Sequence, residues 1–465
     1  MNRICISFLT LFLFFPLFLS AQDDGLSLLT ENPEKPSVFY GFVRGGLYGT
    51  MDKNDDKPYV SSAFSDFGLK AEIKDNIRFK AFADIRFRYG TEFLEPVKNI
   101  NLREAYVKVN GKFWDITAGQ TIVKWGRTDF SNPTSKLNPQ NYISRSPDPE
   151  DMDMGNLLAE LKIYPAPFFS LQAVAVPYYR PSTLLIDPLP LPGWIKINQL
   201  PALLTSRDMF SYGLKAEFRL SGTDMSLSWF NGYDPMPGAA LTAFSLDMSG
   251  SFPSPSAEIS MTPYKIQNFG IDFENTIGSF GVRGEGSWSV PYKSHKTAEY
   301  VPLEEVKYVA GIDWMPGDWR LTAEYSGKTI LGFEAPAVEP LIGAELDMAK
   351  LSALLADPGF VLDDYVRQQV SSFNRLYNYQ MEKTYHSAGL RIERELFYGK
   401  VVPSVFALYN FTSRDLLLMP EIRYKPADGL TISAGGDIYS GKKGSVHDLV
   451  NDFMNCIRIA VRVDF

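Results

Sequence analysis

Ile77-Arg78-Phe79-Lys80-Ala81-Phe82-Ala83-Asp84-Ile85-Arg86-Phe87-Arg88-Tyr89 reads as one long β-strand. Ile77, Phe79, Ala81, Ala83, Ile85, Phe87 and Tyr89 fall on one face, and Arg78, Lys80, Asp84, Arg86 and Arg88 on the other, because successive side chains of a strand point to opposite sides. A soluble sandwich would alternate in the same way, with its apolar set turned to the core. Strand length separates the two cases. Many segments run about 10–13 residues, the length a tilted transmembrane strand needs, against about 5–6 for an average soluble strand. Tyr212, Leu214, Ala216, Phe218 and Leu220 alternate with Gly213, Lys215, Glu217 and Arg219, and the runs 307–314 and 319–325 repeat the pattern.

The turns are asymmetric. Tight turns recur at Asp75-Asn76, Gly111-Lys112, Pro165-Ala166, Gly222-Thr223, Gly278-Ser279, Pro316-Gly317, Gly399-Lys400 and 426–429. The other connections are mostly long: 90–102, 126–156, 179–208, 234–264, 291–303 and 331–382. Short periplasmic turns and long outer loops characterise outer-membrane barrels. Eight hairpins give sixteen strands, and one more near 38–49 and one near 454–465 give about eighteen, with sixteen as the alternative. The expected fold is therefore all-β: a transmembrane, antiparallel, up-and-down barrel over 38–465. Beyond the first twenty residues no apolar run reaches the ~20 residues of a membrane helix, and only a closed barrel could then pair every backbone group within a bilayer. The faces of the first strand are ambiguous, since Phe39-Tyr40-Gly41-Phe42-Val43 is apolar throughout.

The two chain ends agree with this compartment. Arg3, the apolar run 4–18 and Leu19-Ser20-Ala21 have the layout of a secretory signal peptide cleaved after Ala21, leaving 22–37 as a short periplasmic segment. At the other end, Ile457, Ile459, Val461, Val463 and Phe465 alternate with Arg458, Ala460, Arg462 and Asp464. A terminal aromatic after such a strand resembles the signal by which outer-membrane assembly machinery recognises its clients, which gives Phe465 that expected role and the machinery as an expected partner beside membrane lipid.

Composition excludes several classes. Cys5 lies in the signal, so Cys456 has no partner for an intrachain disulfide or a thiol metal site. A net charge of −8 argues against nucleic acid. His295, His386 and His447 form no metal-binding pair, no glycine-flanked nucleophilic serine is present, and His386 and Ser387 would face opposite sides of a strand. No enzyme, cofactor or metal is expected. Asp148, Glu150, Asp151 and Asp153 are acidic enough for calcium but lack the spacing and glycine of a known loop; a solvated acidic loop is the reading.

Gly119-Gln120, Trp125-Gly126-Arg127, Asp129, Asn132-Pro133-Thr134, Leu137, Pro139 and Tyr142 resemble a segment, W-G-x-x-D-x-x-N-P-T-x-x-L-x-P, found after an early strand in a poorly characterised group of porin-like bacterial outer-membrane barrels. Residues 161–165 and 176–182 fit the same group. The resemblance is strongest over about 115–185, and it implies a fold, a compartment and at most a channel. In physical terms Trp125 ends a strand, and Asp129, Asn132 and Pro133 favour turns. Either this loop folds against the barrel wall, or it enters the lumen, where Trp125, Arg127, Asp129, Asn132 and Pro133 would belong to a constriction.

An eighteen-stranded barrel is wide enough for a water-filled lumen. The first and closing strands offer a basic wall of Arg44, Lys70, Lys74, Arg78, Lys80, Arg86, Arg88, Arg458 and Arg462. Strands within 265–330 offer an acidic wall of Asp272, Glu274, Glu285, Asp313 and Glu324. The two walls would set up a transverse field, unless the charges pair across strands. The segment 181–194 is too apolar for a solvated loop and would cover the mouth, pack internally or receive hydrophobic ligands. Leu346, Ala349, Leu351, Leu354 and Leu355 suggest one helix and 363–376 a second, forming a lid or a partner surface. Three functions follow: a channel for small polar or anionic solutes, a transporter of hydrophobic compounds, and a surface adhesin or assembly partner.

Overall fold

Alternation continues through the ambiguous first strand. In β1 (Ser37–Met51) the side chains of Phe42, Arg44, Tyr48 and Thr50 are buried, while Val43 and Leu47 are exposed. The computed structural model describes residues 37–465 apart from 52–56, 76–77, 143, 185–192, 248, 250–253, 295–296, 341–355 and 357–358. The expected signal peptide, residues 22–36 and the expected helix around Leu346–Leu355 lie outside the described residues.

The strands that follow are β2 (Pro58–Asp75), β3 (Phe79–Glu92), β4 (Glu95–Asn110), β5 (Trp114–Thr121), β6 (Asn156–Ala166), β7 (Phe169–Val176), β8 (Ile195–Asn198), β9 (Ser211–Leu220), β10 (Thr223–Tyr233), β11 (Gly238–Asp247) and β12 (Ser254–Thr262). The second half holds β13 (Lys265–Ile277), β14 (Phe280–Pro291), β15 (Glu305–Trp314), β16 (Trp319–Ile330), β17 (Thr384–Arg394), β18 (Val401–Asn410), β19 (Asp415–Ala427), β20 (Leu430–Ser440) and β21 (Cys456–Asp464). Two helices, α1 (Leu362–Tyr377) and α2 (Val446–Met454), lie in outer connections.

All strands except β8, β11 and β12 belong to one eighteen-stranded antiparallel sheet, and β21 pairs back with β1. The barrel is therefore closed. Its seam runs from Phe42 opposite Asp464 to Gly49 opposite Ile457, and Gly41 and Phe465 exchange backbone hydrogen bonds of 2.9 and 3.0 Å. The Phe465 ring stacks on Phe67 at 6.0 Å.

Polarity is inverted relative to a soluble sandwich. Asp66, Asp84, Ser226, Asp272, Glu285, Thr322 and Arg458 are buried inside, while Ile100, Leu227, Ile271, Ile312, Ile422 and Ile459 are exposed outside. Exposed aromatics cluster at both strand ends. Phe280, Trp314, Trp319 and Phe397 lie near the short turns, and Trp288, Tyr308, Tyr325 and Tyr409 toward the long loops. An apolar band between two aromatic girdles is the lipid-facing surface of an outer-membrane barrel.

Seven of the eight expected turns lie at the joins of neighbouring barrel strands, and the eighth is displaced by two residues: Pro165 and Ala166 end β6, and Pro167 and Phe168 turn into β7. One expected long loop, 90–102, is a correction. β3 runs to Glu92 and β4 starts at Glu95, so only Phe93 and Leu94 turn, both at positive φ (50° and 68°). Two consecutive positive-φ residues match the twist of the flanking strands, and neither is a Gly, Asn or Asp that would mark the turn in sequence. The 411–414 connection is likewise short, and α2 was not legible in its loop.

The outer loops 179–208, 234–264 and 331–382 share a second core. β11 and β12 form an antiparallel hairpin, and β8 adds parallel to β12. Leu184, Ala239, Leu241, Ile259 and Met261 pack there with Val366 and Val370 of α1, and Trp194, Ile195 and Ile197 lean against them. The Asn374 side chain clamps α1 to β11, accepting from the Ala239 N–H and donating to its carbonyl, both at 2.8 Å. The second helix expected over 363–376 thus exists, and Leu184, Trp194, Ile195, Ile197 and Leu200 of loop 179–208 are packing residues of this cap.

The inverted partition makes a direct prediction. Ile271→Arg, mid-strand on the outer face, should cost about 2–4 kcal/mol of unfolding free energy in lipid vesicles, whereas Ile271→Val should stay within about 1.5 kcal/mol. Denaturant titration of the refolded barrel reads both, and an arginine tolerated as well as valine would contradict a lipid-facing position.

Candidate functional site

The chain leaves the wall after Thr121 and rejoins it at Asn156. Residues 122–155 cross the lumen, and each end of the crossing is fastened to one charged wall. Of the two arrangements left open by the sequence, the loop takes the internal one.

The acidic fastening centres on Glu285 of β14, which is almost fully buried. Its carboxylate accepts from the backbone N–H of Arg127 (3.1 Å), Thr128 (3.4 Å) and Thr134 (2.8 Å), and from the hydroxyls of Thr128 (2.7 Å) and Thr134 (2.8 Å). Five donors on one carboxylate make a strong charge-assisted anchor. Beside it the Arg127 guanidinium reaches Asp272 (2.8 Å), Glu274 (3.1 Å) and Glu217 (3.0 Å). Glu324 accepts from the N–H groups of Asp129 (2.6 Å) and Phe130 (2.9 Å), and Arg283 joins Asp129 (2.8 Å) to Asp313.

Local geometry explains the segment's residue types. Trp125 is buried four residues past the end of β5, not at the strand end as expected, and its indole N–H donates to Gln172 (3.0 Å). Asn132 donates to the Trp125 carbonyl (2.6 Å) and accepts from the Ser135 N–H (3.1 Å), and the Pro133 carbonyl accepts from Asn268 (3.5 Å). Gly126 sits at φ +83°, and a Cβ there would lie 2.4 Å from Glu285; only glycine fits both the conformation and the approach.

The basic fastening involves 144–153. Asp151 contacts Arg44 (2.7 Å) and Arg86 (2.5 Å), and accepts from Ser146 (2.6 Å). Arg44 and Arg88 both bind Asp66 at 2.6 Å, and Arg88 also binds Glu92 and the Arg145 carbonyl (3.0 Å). Arg145 reaches the Cys456 Sγ (3.0 Å) and the Phe453 carbonyl (2.6 Å) at the end of α2. Asp148 meets Arg462 at 3.2 Å and Asp153 meets Lys124 at 2.5 Å. Asp148, Asp151 and Asp153 of the acidic cluster are therefore paired with basic groups, and no metal-binding group occurs among the described residues. Burial alone would raise the Asp151 pKa, but Arg44 and Arg86 outweigh it and hold this carboxyl below its ordinary range.

Charge pairing, more than an open field between bare walls, describes these groups. Lys80 and Lys74 share Glu72, with Lys80 at 3.1 Å. Lys70 lies over the Tyr40 ring at 5.7 Å. Arg78 sits exposed in the turn before β3, at the rim of the barrel. Arg458 is held between Glu421 (2.6 Å) and Asp437 (3.3 Å).

Sequence reading missed the loop tip. The Phe130 ring occupies the space left by Gly389, where a Cβ would lie 2.5 Å from it, and meets Phe406 edge-on at 4.9 Å. Arg391 stands 5.4 Å from both rings. The lumen stays open beside this tip as a cavity of about 1780 Å³, walled by the loop, the cap and β17–β21. A glycine at an inward strand position is the one sequence sign of the Phe130 niche, and it needs the register to be read.

No protein-family model and no curated protein sequence matches this chain. Solved structures do match. Pseudomonas aeruginosa OccK9 (OpdG) superposes with a TM-score of 0.53 at 8% identity, covering 94% of this chain and 99% of that one. Acinetobacter baumannii OccAB2 gives 0.53 at 10% identity over 92% and 98%, and OccAB3 of the same organism gives 0.52 at 11% over 92% and 99%. At such identities the likeness establishes the fold.

The two fastenings should respond separately. Glu285→Ala strands five donors and should lower unfolding free energy by about 3–5 kcal/mol. Asp151→Asn should loosen only the basic end. Because the Asp151 pKa is depressed in the folded barrel, its contribution is complete above the ordinary carboxylate pKa of about 3.9 and is lost as pH falls below it. Melting temperature in wild type should therefore depend on Asp151 at pH 6 and become insensitive to Asp151→Asn at strongly acid pH; equal effects at both would refute the assignment.

Proposed function

We propose that this chain is a multi-pass outer-membrane channel of a diderm bacterium for diffusion of small polar or anionic solutes, and not an enzyme. One observation carries the reading: a closed barrel keeps an open, mixed-polarity lumen beside an infolded loop. The structural neighbours are outer-membrane porins, which supports it. The W-G-x-x-D-x-x-N-P-T resemblance points the same way. Anions are favoured by the basic groups left over on the open side. Arg391 and Lys425 face the cavity and have no carboxylate partner among the described residues, while Arg423 and Arg462 are partly neutralised by Glu393, Glu421, Asp148 and Asp464. The hydrophobic-compound and adhesin readings gain less, because Leu184, Trp194, Ile195, Ile197, Leu200, Val366 and Val370 of the loops are used within the cap core.

Planar-bilayer recording tests this. Wild type should conduct, and Arg391→Gln with Lys425→Gln should shift the reversal potential in a KCl gradient toward cations. An unchanged potential would remove the anionic preference, and no conductance at all would remove the channel.

We further assign Phe465 to recognition by the barrel-assembly machinery, with membrane lipid and small solutes as the other partners. Its backbone already closes the seam, so Phe465→Ala, which keeps those hydrogen bonds, should lower the folded, heat-modifiable fraction in cells but leave in vitro refolding into lipid unchanged. Equal loss in both settings would make the ring structural only.

A further inference from the structure

Leu416-Leu417-Leu418-Met419 interrupts the alternation of β19. Most inward positions elsewhere carry groups such as Asp66, Ser226, Thr322 and Ser433. On β19, Leu417 and Met419 line the lumen cavity, and Met419 lies opposite Phe406 across the ladder. The same cavity is lined by Val450 and Met454 from α2 and by Phe373 and Tyr377 from α1. Leu417, Met419, Val450 and Met454 are half-buried and belong to none of the packed cores of the barrel or cap. β19 and α2 thus turn unpacked apolar side chains toward one lumen cavity, beside Phe373 and Tyr377, which also pack on the cap core. Such a wall gains nothing from packing and is unfavourable in water, unless a solute displaces that water.

We propose that this chamber at the outer mouth is a binding site for solutes that carry an apolar body of a few carbons on a polar head. Lining groups of both signs and a phenol, Arg391, Glu421 and Tyr439, give a head group donors and acceptors, so the apolar body is the discriminating feature. The inference deepens the channel reading and rests on it for passage, though not for binding.

The test uses the full-length barrel in lipid nanodiscs and in planar bilayers, with the uncharged series methyl, ethyl, propyl and butyl β-glucoside as probes. Calorimetric affinity in nanodiscs should rise about fourfold per added methylene, roughly sixtyfold from methyl to butyl, and butyl glucoside should block ion current where methyl glucoside does not. The double variant Leu417→Ser with Met419→Ser should flatten the series. Val450→Ser, on a different element, should lower the slope as well and serves if the double variant fails to fold. A flat series in wild type, or a slope equal in wild type and variants, overturns the proposal. Chain-length-dependent calorimetric binding without any conductance would uphold the chamber and reject the channel.

Discussion

A backbone amide surrounded by hydrocarbon can bond only to another backbone group, so the pairing of β1 with β21 governs everything else in this fold. The seam is made between the first and last described strands, more than four hundred residues apart in sequence. It is sealed at its inner end by reciprocal bonds between Gly41 and Phe465. The glycine is required there, since a Cβ on Gly41 would lie 2.1 Å from the Gly68 carbonyl oxygen. Once every strand has two neighbours, the sheet has no edge, and side chains are left to choose only between lipid and lumen.

Eighteen strands enclose more space than inward side chains can fill. The chain fills part of it with its own backbone, which brings unpaired amides into the lumen and sets a new pairing problem. Glu285 and Glu324 solve it on one side by accepting loop N–H groups from Arg127 to Phe130 and from Thr134. On the other side the loop presents Asp148 and Asp151 to Arg462, Arg44 and Arg86. The uneven charge of the two walls thus has a structural use: each wall is complementary to the part of the loop that touches it.

Much of this was legible as pattern. Alternation with period two placed Arg44, Arg86, Arg88, Asp272, Glu285, Glu324, Arg458 and Arg462 on the inner face, and eight turn signals gave about eighteen strands with sixteen as the alternative, because both are local properties of the chain. What was not legible depends on partners far away in sequence. Phe130 is an ordinary loop aromatic until Gly389 is placed beneath it. The apolar segment near Leu184 and Trp194 is unaccountable alone and becomes core once β11, β12 and α1 are brought to it. The hairpin at Phe93-Leu94 escaped because its positive φ angles are imposed by strand pairing and by the bonds from Leu94 and Phe93 to Ser61 and Ser62, with no residue chosen for the turn.

In the proposed channel, the placement of the fastenings also sets which inner surface a solute meets. The loop covers β9, β10, β13, β14 and β16 through Arg127–Thr134, β7 through Trp125, β4 through 150–153 and β1–β3 through 145–151, its tip reaches β17 and β18, and Asp148 reaches β21. The uncovered inner surface therefore lies on the arc centred on β19 and β20. Charges on the covered walls, however many, are neutralised by the loop and see little of a permeating solute. Selectivity should then follow from the few groups on the open arc, which are the arginines and lysine around Arg391, Arg423 and Lys425 and the apolar strip of Leu417 and Met419. A net charge counted over the whole lumen would miss this, because most of that charge holds the loop in place.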